Sequence, residues 1–144
     1  MEFQTTAKIY LVDDDLMSLG IYEHHLRGKG YNDIRTFMDG HTCIDQLHEG
    51  PDLIFLDHNM TSISGLEVLR KIKRYDPEIF VVMVSGQDDM KTALNAMKFG
   101  AFDYIIKGEH ELSMMDDVME RMFIIKEKMR RANPTLLMKL LSIF

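Results

Sequence analysis

The sequence predicts an α/β fold in which a doubly wound, five-stranded parallel sheet carries helices on both faces. Five short apolar runs alternate with five amphipathic stretches along the chain. Strict alternation of this kind indicates parallel strands joined by right-handed crossovers. Three of the runs are continuous blocks rich in Val, Ile and Phe, which is typical of strands buried on both faces.

The apolar runs are the predicted strands. They lie at residues 9–12, 34–38, 53–56, 79–84 and 102–106. Arg35 and Thr36 interrupt the second run, which therefore suits the edge of the sheet better than its centre.

The stretches between the runs place apolar residues three and four positions apart, as helices that cover a sheet do. Five such stripes are present: Leu16, Leu19, Tyr22 and Leu26; Cys43, Ile44 and Leu47; Leu66, Leu69 and Ile72; Met90, Ala93, Leu94 and Met97; Met115, Val118, Met119, Met122 and Ile125. We expect each stripe to face the sheet. Glycine and proline residues follow the first four stripes, as expected where helices end.

The pattern changes after Ile125. Residues 1–125 are predicted to form one domain, and residues 126–144 a C-terminal helical extension or the start of a linker. Asn133-Pro134 breaks this segment, and the nine residues LLMKLLSIF that close it are almost all apolar. So short a helix is unstable alone in water. We expect residues 134–144 to pack on this domain, on a partner or on a region missing from this chain.

Composition narrows the function classes. The chain has 144 residues, of which 46% are hydrophobic and 28% charged, as in ordinary globular proteins. A net charge of −6 argues against general binding of nucleic acid. The single cysteine, Cys43, fits a reducing compartment, and we expect a cytoplasmic location. Neither a signal peptide nor an apolar run of membrane-spanning length is evident, so no membrane association is expected.

Polar residues follow four of the five predicted strands. The first strand leads into Asp13-Asp14-Asp15, the third into Asp57-His58-Asn59, the fourth into Ser85 and the fifth into Lys107. Because the carboxyl ends of parallel strands meet at one edge of a sheet, we expect these side chains to form one site.

Crowded carboxylates at that edge need a cation. Two of them about 4 Å apart repel by about 4 kcal/mol at an effective dielectric constant near 20. Oxygen ligands without His or Cys favour Mg²⁺. An ammonium and a hydroxyl beside such an ion, from Lys107 and Ser85, suit a phosphoryl group. One carboxylate could then be the nucleophile that forms an aspartyl phosphate.

Five segments of the chain carry a family resemblance: IYLVDDD, PDLIFLDHNM, SGLEVLRKIK, VVMVSG and FDYIIKG. Over residues 7–125 the chain resembles the receiver domains of two-component response regulators, especially stand-alone chemotaxis-type receivers. The resemblance implies the strand order 2-1-3-4-5. It also implies a signalling role rather than an enzymatic one, with only self-phosphorylation and self-dephosphorylation as chemistry.

The resemblance also implies the residues of the reaction. Asp57 would accept the phosphoryl group, and Lys107 would pair with its oxygens. Mg²⁺ would be held by Asp13, Asp14 and Asp57, with the carbonyl of Met60 as a further ligand.

Four further positions match switch and lifetime residues of the family. Ser85 would follow the phosphoryl group, and the rotamer of Tyr104 would report that movement. Asn59 and Gln87 would set the lifetime of the phosphorylated state. The implied partners are a sensor histidine kinase or phosphotransfer protein and an effector that binds the fourth helix, fifth strand and fifth helix. A homodimer is a further partner that the chain could form.

One departure and two alternatives remain. Gly108 stands where the family usually has proline, often after a cis bond, and we expect a trans bond there. A phosphohydrolase of the haloacid dehalogenase type would use Asp13 and Asp15 as its D-x-D pair. A flavodoxin-like flavin carrier is the other alternative, but three aspartates after the first strand would repel its phosphate.

Overall fold

Five parallel strands form the centre of the molecule. The structure is a computed structural model, and it describes residues 6–86 and 90–132. The strands are β1 (Lys8–Val12), β2 (Asp33–Phe37), β3 (Leu53–Asp57), β4 (Phe80–Ser85) and β5 (Asp103–Ile106). Their order in the sheet is β2-β1-β3-β4-β5, which confirms the predicted fold.

Five α-helices in the described residues connect and cover the strands. They are α1 (Leu16–Gly28), α2 (Gly40–Asp45), α3 (Gly65–Tyr75), α4 (Met90–Lys98) and α5 (Glu111–Ala132), and a short 3₁₀ turn (Leu47–Glu49) follows α2. The first three begin at side-chain caps, because Asp15, Asp39 and Ser64 accept hydrogen bonds from backbone amides of the first turn.

The C-terminal helix bears on the predicted division of the chain. α5 continues without interruption from the domain through residues 126–132. The boundary predicted at residue 125 therefore falls inside a helix, and the two-part division stays a prediction. Residues 133–144, including the apolar segment, lie outside the described residues.

The core consists of one layer on each face of the sheet. On one face, α1 and α5 pack against side chains such as Leu11, Phe55 and Val84. On the other, α2, α3 and α4 pack against the alternate set, which includes Ile54 and Met83. Every residue of β3 is buried, so this central strand holds its last residue, Asp57, in a fixed position.

The predicted apolar stripe of α4 is wrong. Met90, Leu94 and Met97 are 77%, 61% and 49% exposed, while Thr92 and Ala96 are buried. Small residues four positions apart let the helix approach the sheet closely, and this contact excludes the larger side chains. Leu16, expected in the stripe of α1, is also exposed.

Other core predictions hold. Cys43 is fully buried under the sheet, and Met115, Val118, Met119 and Met122 of α5 are buried as expected. Within the described ranges, no helix combines the length and apolar character that crossing a membrane requires.

Candidate functional site

The carboxyl edge of the sheet brings three aspartates together. Asp13 follows β1 and Asp57 ends β3, and these strands pair with Val12 opposite Leu56. Carboxylate oxygens of Asp13, Asp14 and Asp57 all lie within 4.8 Å of one another. Asp13 and Asp57 are buried, whereas Asp14 is more exposed. The strand ends therefore bring these three aspartates together at one edge of the sheet, as predicted.

Lys107 reaches the same cluster from the end of β5. Its Nζ lies 3.0 Å from Asp13 Oδ2 and 3.4 Å from Asp57 Oδ1. Its backbone N–H donates to the carbonyl of Ser85 over 2.8 Å, which fixes the start of the following loop. No peptide bond in the described ranges is cis, as expected with Gly108 in place of proline.

Local hydrogen bonds hold Asp13 in place and direct the carboxylate of Asp15 away from the site. The backbone N–H of Asp13 donates to the carbonyl of Phe37, and Oδ1 of Asp13 accepts from the backbone N–H of Asp15. The carboxylate of Asp15 instead caps α1, accepting from Met17 N and Ser18 Oγ. The D-x-D pair of the phosphohydrolase alternative is therefore not assembled.

Burial and mutual repulsion shape the electrostatics of the site. Burial, and then the charge of Asp13, raise the pKa of Asp57 to about 6, although Lys107 opposes the shift. Burial lowers the pKa of Lys107, but its hydrogen bond to Asp13 and the charges of Asp57 and Asp13 outweigh this, so that the pKa is raised. Lys107 therefore stays charged at neutral pH.

The donor set fits a divalent cation. Three carboxylates and one ammonium leave negative charge uncompensated in a partly buried pocket. Oxygen donors alone suit a hard ion such as Mg²⁺ rather than zinc or copper. Met60 lies half-buried in the loop between β3 and α3, beside the end of β3 that carries Asp57.

The remaining predicted site residues fall at different depths. Ser85 is fully buried at the end of β4. Tyr104 is half-buried in β5, opposite Met83 of β4, and it packs on the core layer that contains α4. Asn59 is exposed. Gln87 lies outside the described residues.

Two features of the site escaped the sequence analysis. Gly65, the first residue of α3, lies against the strand that carries the central aspartate: a Cβ added there would lie 2.6 Å from the carbonyl oxygen of Asp57. Tyr22, assigned only to the apolar stripe of α1, lines a small buried space with Asp13 and Asp57 and donates to Glu111. The sequence does place a tyrosine in the apolar stripe of α1, and a buried tyrosine hydroxyl needs a hydrogen-bond partner. This polar group in an otherwise apolar stripe could have indicated a contact near the site.

Sheet order, strand-end acids and the lysine together define a doubly wound α/β domain with a charged site at one edge of its sheet. The model of the response regulator receiver domain family matches residues 9–119. The chain therefore belongs to this family, whose members serve as signalling domains of two-component systems rather than as enzymes in the usual sense.

Individual relatives agree with the family match. The chain is 36% identical over 100 residues to the transcriptional regulatory protein ZraR of Salmonella typhimurium, covering 69% of this chain and 22% of that protein. It is 39% identical over 102 residues to the nitrogen assimilation regulatory protein NtrX of Azorhizobium caulinodans, with the same coverage. The chain thus spans about a fifth of the length of the curated relatives it matches.

Solved structures show the same architecture. A response regulator receiver domain from Clostridium thermocellum superposes with a TM-score of 0.78 at 27% identity, covering 85% of this chain and 98% of that one. NtrX from Brucella abortus superposes with a TM-score of 0.76 at 28% identity, covering 88% of this chain and 30% of that one.

Proposed function

We propose that this chain accepts a phosphoryl group on Asp57 from a phosphohistidine of a sensor histidine kinase or phosphotransfer protein. The observation that carries the proposal is the contact of Lys107 with both Asp13 and Asp57 at one end of the sheet. A nucleophile, an acidic pair and a cation within one small pocket are the groups that phosphoryl transfer requires.

The transfer is a displacement at phosphorus. A carboxylate oxygen of Asp57 forms the new O–P bond while the P–N bond to the donor imidazole breaks, and the electron pair of that bond returns to the ring nitrogen. Lys107 neutralises charge on the transferred oxygens, and the fixed end of β3 orients the nucleophile. Mg²⁺, held by Asp13, Asp14, Asp57 and the Met60 carbonyl, would add positive charge beside these oxygens.

Phosphorylation would be read out by Ser85 and Tyr104, which lie on the neighbouring strands β4 and β5. The hydroxyl of Ser85 moves to bond the phosphoryl group, and Tyr104 turns into the space this leaves. A difference of a few kcal/mol between the two packings is enough for such a switch.

The surface of α4, β5 and α5 is the proposed output face. Large apolar side chains are exposed along it: Met90, Leu94, Met97, Ile106 and Met114. Contiguous exposed apolar side chains mark protein interaction sites. An effector protein, or a second copy of this chain, would bind this face in one of the two states.

The phosphorylated state would have an intermediate lifetime. Asn59, two residues after Asp57, is exposed, and its uncharged amide is suited to positioning a water near the phosphoryl group. Gln87, two residues after Ser85, is proposed to share this role. The proposed location is the cytoplasm, where a kinase could reach the site and where an unpaired cysteine such as Cys43 is stable.

Incubation with acetyl phosphate and Mg²⁺, followed by intact mass and peptide mapping, tests the proposal. We expect one phosphoryl adduct, on Asp57, that disappears in Asp57→Asn and when a chelator removes the metal. Asp15→Asn is the matched control and should be modified normally. An adduct on Asp13 or Asp15 would contradict the proposal and favour the phosphohydrolase alternative.

Sizing with and without the phosphoryl mimic beryllofluoride identifies the class of output. A shift to dimer on addition of the mimic, abolished by Leu94→Asp, would assign the output face to a second copy. A monomer in both states would assign it to a different protein.

A further inference from the structure

A hydrogen bond joins α1 to the first residue of α5 beside the acidic site. The hydroxyl of Tyr22 donates to Glu111 Oε2 over 2.5 Å, between residues 89 positions apart in the chain. Tyr22 is 4% exposed and packs within the core layer formed by α1, α5 and the sheet. Its ring is therefore fixed by packing, and its hydroxyl is a rigid attachment point.

The same tyrosine lies next to the reacting groups. It lines a small pocket together with the two buried aspartates and four apolar residues, namely Asp13, Asp57, Leu11, Val12, Phe55 and Val84. The negative charges of Glu111, Asp13 and Asp57 add to burial in raising the pKa of Tyr22. The hydroxyl therefore remains protonated and able to donate at any physiological pH.

The loop between Lys107 and Glu111 joins β5 to α5, and the carbonyl of its last residue, His110, accepts from Met114 N and Ser113 Oγ, which ties that end of the loop to α5. Its three residues, Gly108, Glu109 and His110, are all exposed. A Cβ added at Gly108 would have no neighbour within 4 Å, so nothing packs against that side of the glycine. Glycine also leaves the backbone more conformational freedom than any other residue. The position of this loop thus depends on its two ends.

Both ends of the loop are anchored. At one end, the Lys107 backbone bonds to Ser85 and its ammonium to Asp13. At the other, Glu111 bonds to Tyr22. Three residues can span at most about 10 Å, so the position of Glu111 limits how far Lys107 can move.

We propose that Tyr22 is a positioning residue for the phosphoryl-transfer site: through Glu111 it fixes the loop that presents Lys107 to Asp13 and Asp57. This inference rests on the proposed function for its kinetic consequence. Its structural part, the restraint of the loop by Tyr22, stands independently. In this chain the partly buried hydrogen bond from Tyr22 to Glu111 restrains a loop in which glycine follows the lysine.

The proposal has a quantitative consequence. Displacing a catalytic group by about 1 Å can cost up to about a hundredfold in rate. Loss of the hydrogen bond from Tyr22 to Glu111 leaves the contact of Lys107 with Asp13 in place. We therefore expect a smaller decrease, about tenfold, in the rate of phosphorylation. Binding of Mg²⁺ should change less than about twofold, because Asp13 and Asp14 are held by β1 and not by the loop.

The test uses the full chain with acetyl phosphate at saturating Mg²⁺. Tyr22→Phe and Glu111→Ala should each lower the initial rate of phosphorylation about tenfold, and the double variant should be no slower than either. Glu111→Gln keeps an acceptor oxygen and should restore a rate near wild type. Tyr31→Phe is the matched control, because it removes the hydroxyl of another buried tyrosine on the α1–α5 side of the sheet. The ring of Tyr31 stacks on Phe123.

Hydrogen exchange in the unphosphorylated protein provides a readout that does not depend on activity. The amides of residues 107–111 should exchange faster in Tyr22→Phe and Glu111→Ala, while those of β1 and β3 stay unchanged. A wild-type chain that is never phosphorylated would overturn the proposed function but leave this readout intact.

Three results would overturn the inference. The first is unchanged exchange of the loop in both variants. The second is a wild-type rate in folded Tyr22→Phe or Glu111→Ala. The third is a rate loss matched by an equal loss of Mg²⁺ affinity, which would indicate a general structural role. If Tyr22→Phe fails to fold, Glu111→Ala with its Glu111→Gln rescue decides the question.

Discussion

Lys107 and Asp13 form an ion pair of 3.0 Å although 94 positions separate them in the chain. The Asp13 side chain is almost fully buried, while that of Lys107 remains a quarter exposed. A buried carboxylate is tolerated only with a partner, so this contact links the folding of the sheet edge to the chemistry of the site.

Lys107→Ala should destabilise the metal-free protein by about 1–3 kcal/mol, because the buried carboxylates of Asp13 and Asp57 lose the ammonium that contacts them both. Mg²⁺ should bind the variant more tightly, since no ammonium competes for the same oxygens. Urea unfolding with chelator, and calorimetric titration with Mg²⁺, measure the two effects.

Lys126→Ala provides the control for this prediction. Lys126 pairs with Asp52 over 2.5 Å at the opposite end of β3. Its removal should leave Mg²⁺ affinity unchanged. Weaker Mg²⁺ binding in Lys107→Ala than in the control would contradict the account of the site.

The contribution of Asp57 to the stability of the metal-free protein should fall as pH rises from about 4 to about 6. The pKa of Asp57 is raised from 3.8 to about 6 in the folded state, so over this interval the folded protein retains a proton that the unfolded chain releases. The ionisation of Asp57 therefore costs about 1–3 kcal/mol of stability above pH 6.

Asp57→Asn isolates this effect from the other titrating groups. The free energy of unfolding of the variant, relative to wild type, should increase between pH 4 and pH 7 in the presence of chelator. A difference that is constant over this range would show that Asp57 titrates normally. Saturating Mg²⁺ should reduce the difference, because the ion compensates the repulsion.

Gly65→Ala should destabilise the protein and impair phosphorylation together. The added Cβ would lie 2.6 Å from the Asp57 carbonyl oxygen and 2.7 Å from the His58 Cα, so the backbone that carries the phosphoacceptor must shift. We expect the free energy of unfolding to fall by about 2–4 kcal/mol. Thermal or urea unfolding and the acetyl phosphate assay measure it.

Gly20→Ala is the matched control, since nothing lies within 4 Å of the added Cβ in the middle of α1. It should stabilise the protein by about 0.5–1 kcal/mol, as alanine replaces glycine in a helix. Equal effects of the two substitutions would refute the argument from close approach.

Asn59→Ala should lengthen the life of the phosphorylated state by several-fold, because an amide that positions the attacking water is lost. Loss of the adduct with time, followed by mass after removal of acetyl phosphate, measures this. Gln87→Ala belongs in the same assay. Asn32→Ala, an exposed amide at the opposite edge of the sheet, is the control. Unchanged decay in both test variants would refute the proposed role.

Much of the fold could be predicted because strands buried on both faces are encoded locally. The apolar runs differ from the observed strands by no more than one residue at either end, and β2, interrupted by Arg35 and Thr36, is indeed an edge strand. The acidic residues and Lys107 could be assigned to one edge because parallel strands place their carboxyl ends together.

The orientation of α4 could not be predicted in this way. Apolar residues recur at helical spacing both on its exposed side, with Met90, Leu94 and Met97, and around Ala96. Which side faces the sheet depends on how closely the helix axis can approach β4 and β5. The side with the smaller residues allows the closer approach, and it is the side that is buried. Spacing along one helix contains no information about this distance.

The amino-acid sequence alone determined the class of fold and the identities of the groups at its acidic edge, since both follow from periodicity along the chain. Tertiary structure decided how those groups act on one another: the ion pairs of Lys107, the raised pKa of Asp57 and the bond from Tyr22 to Glu111. Each depends on distances and burial between segments remote in sequence, and electrostatic energy varies with both.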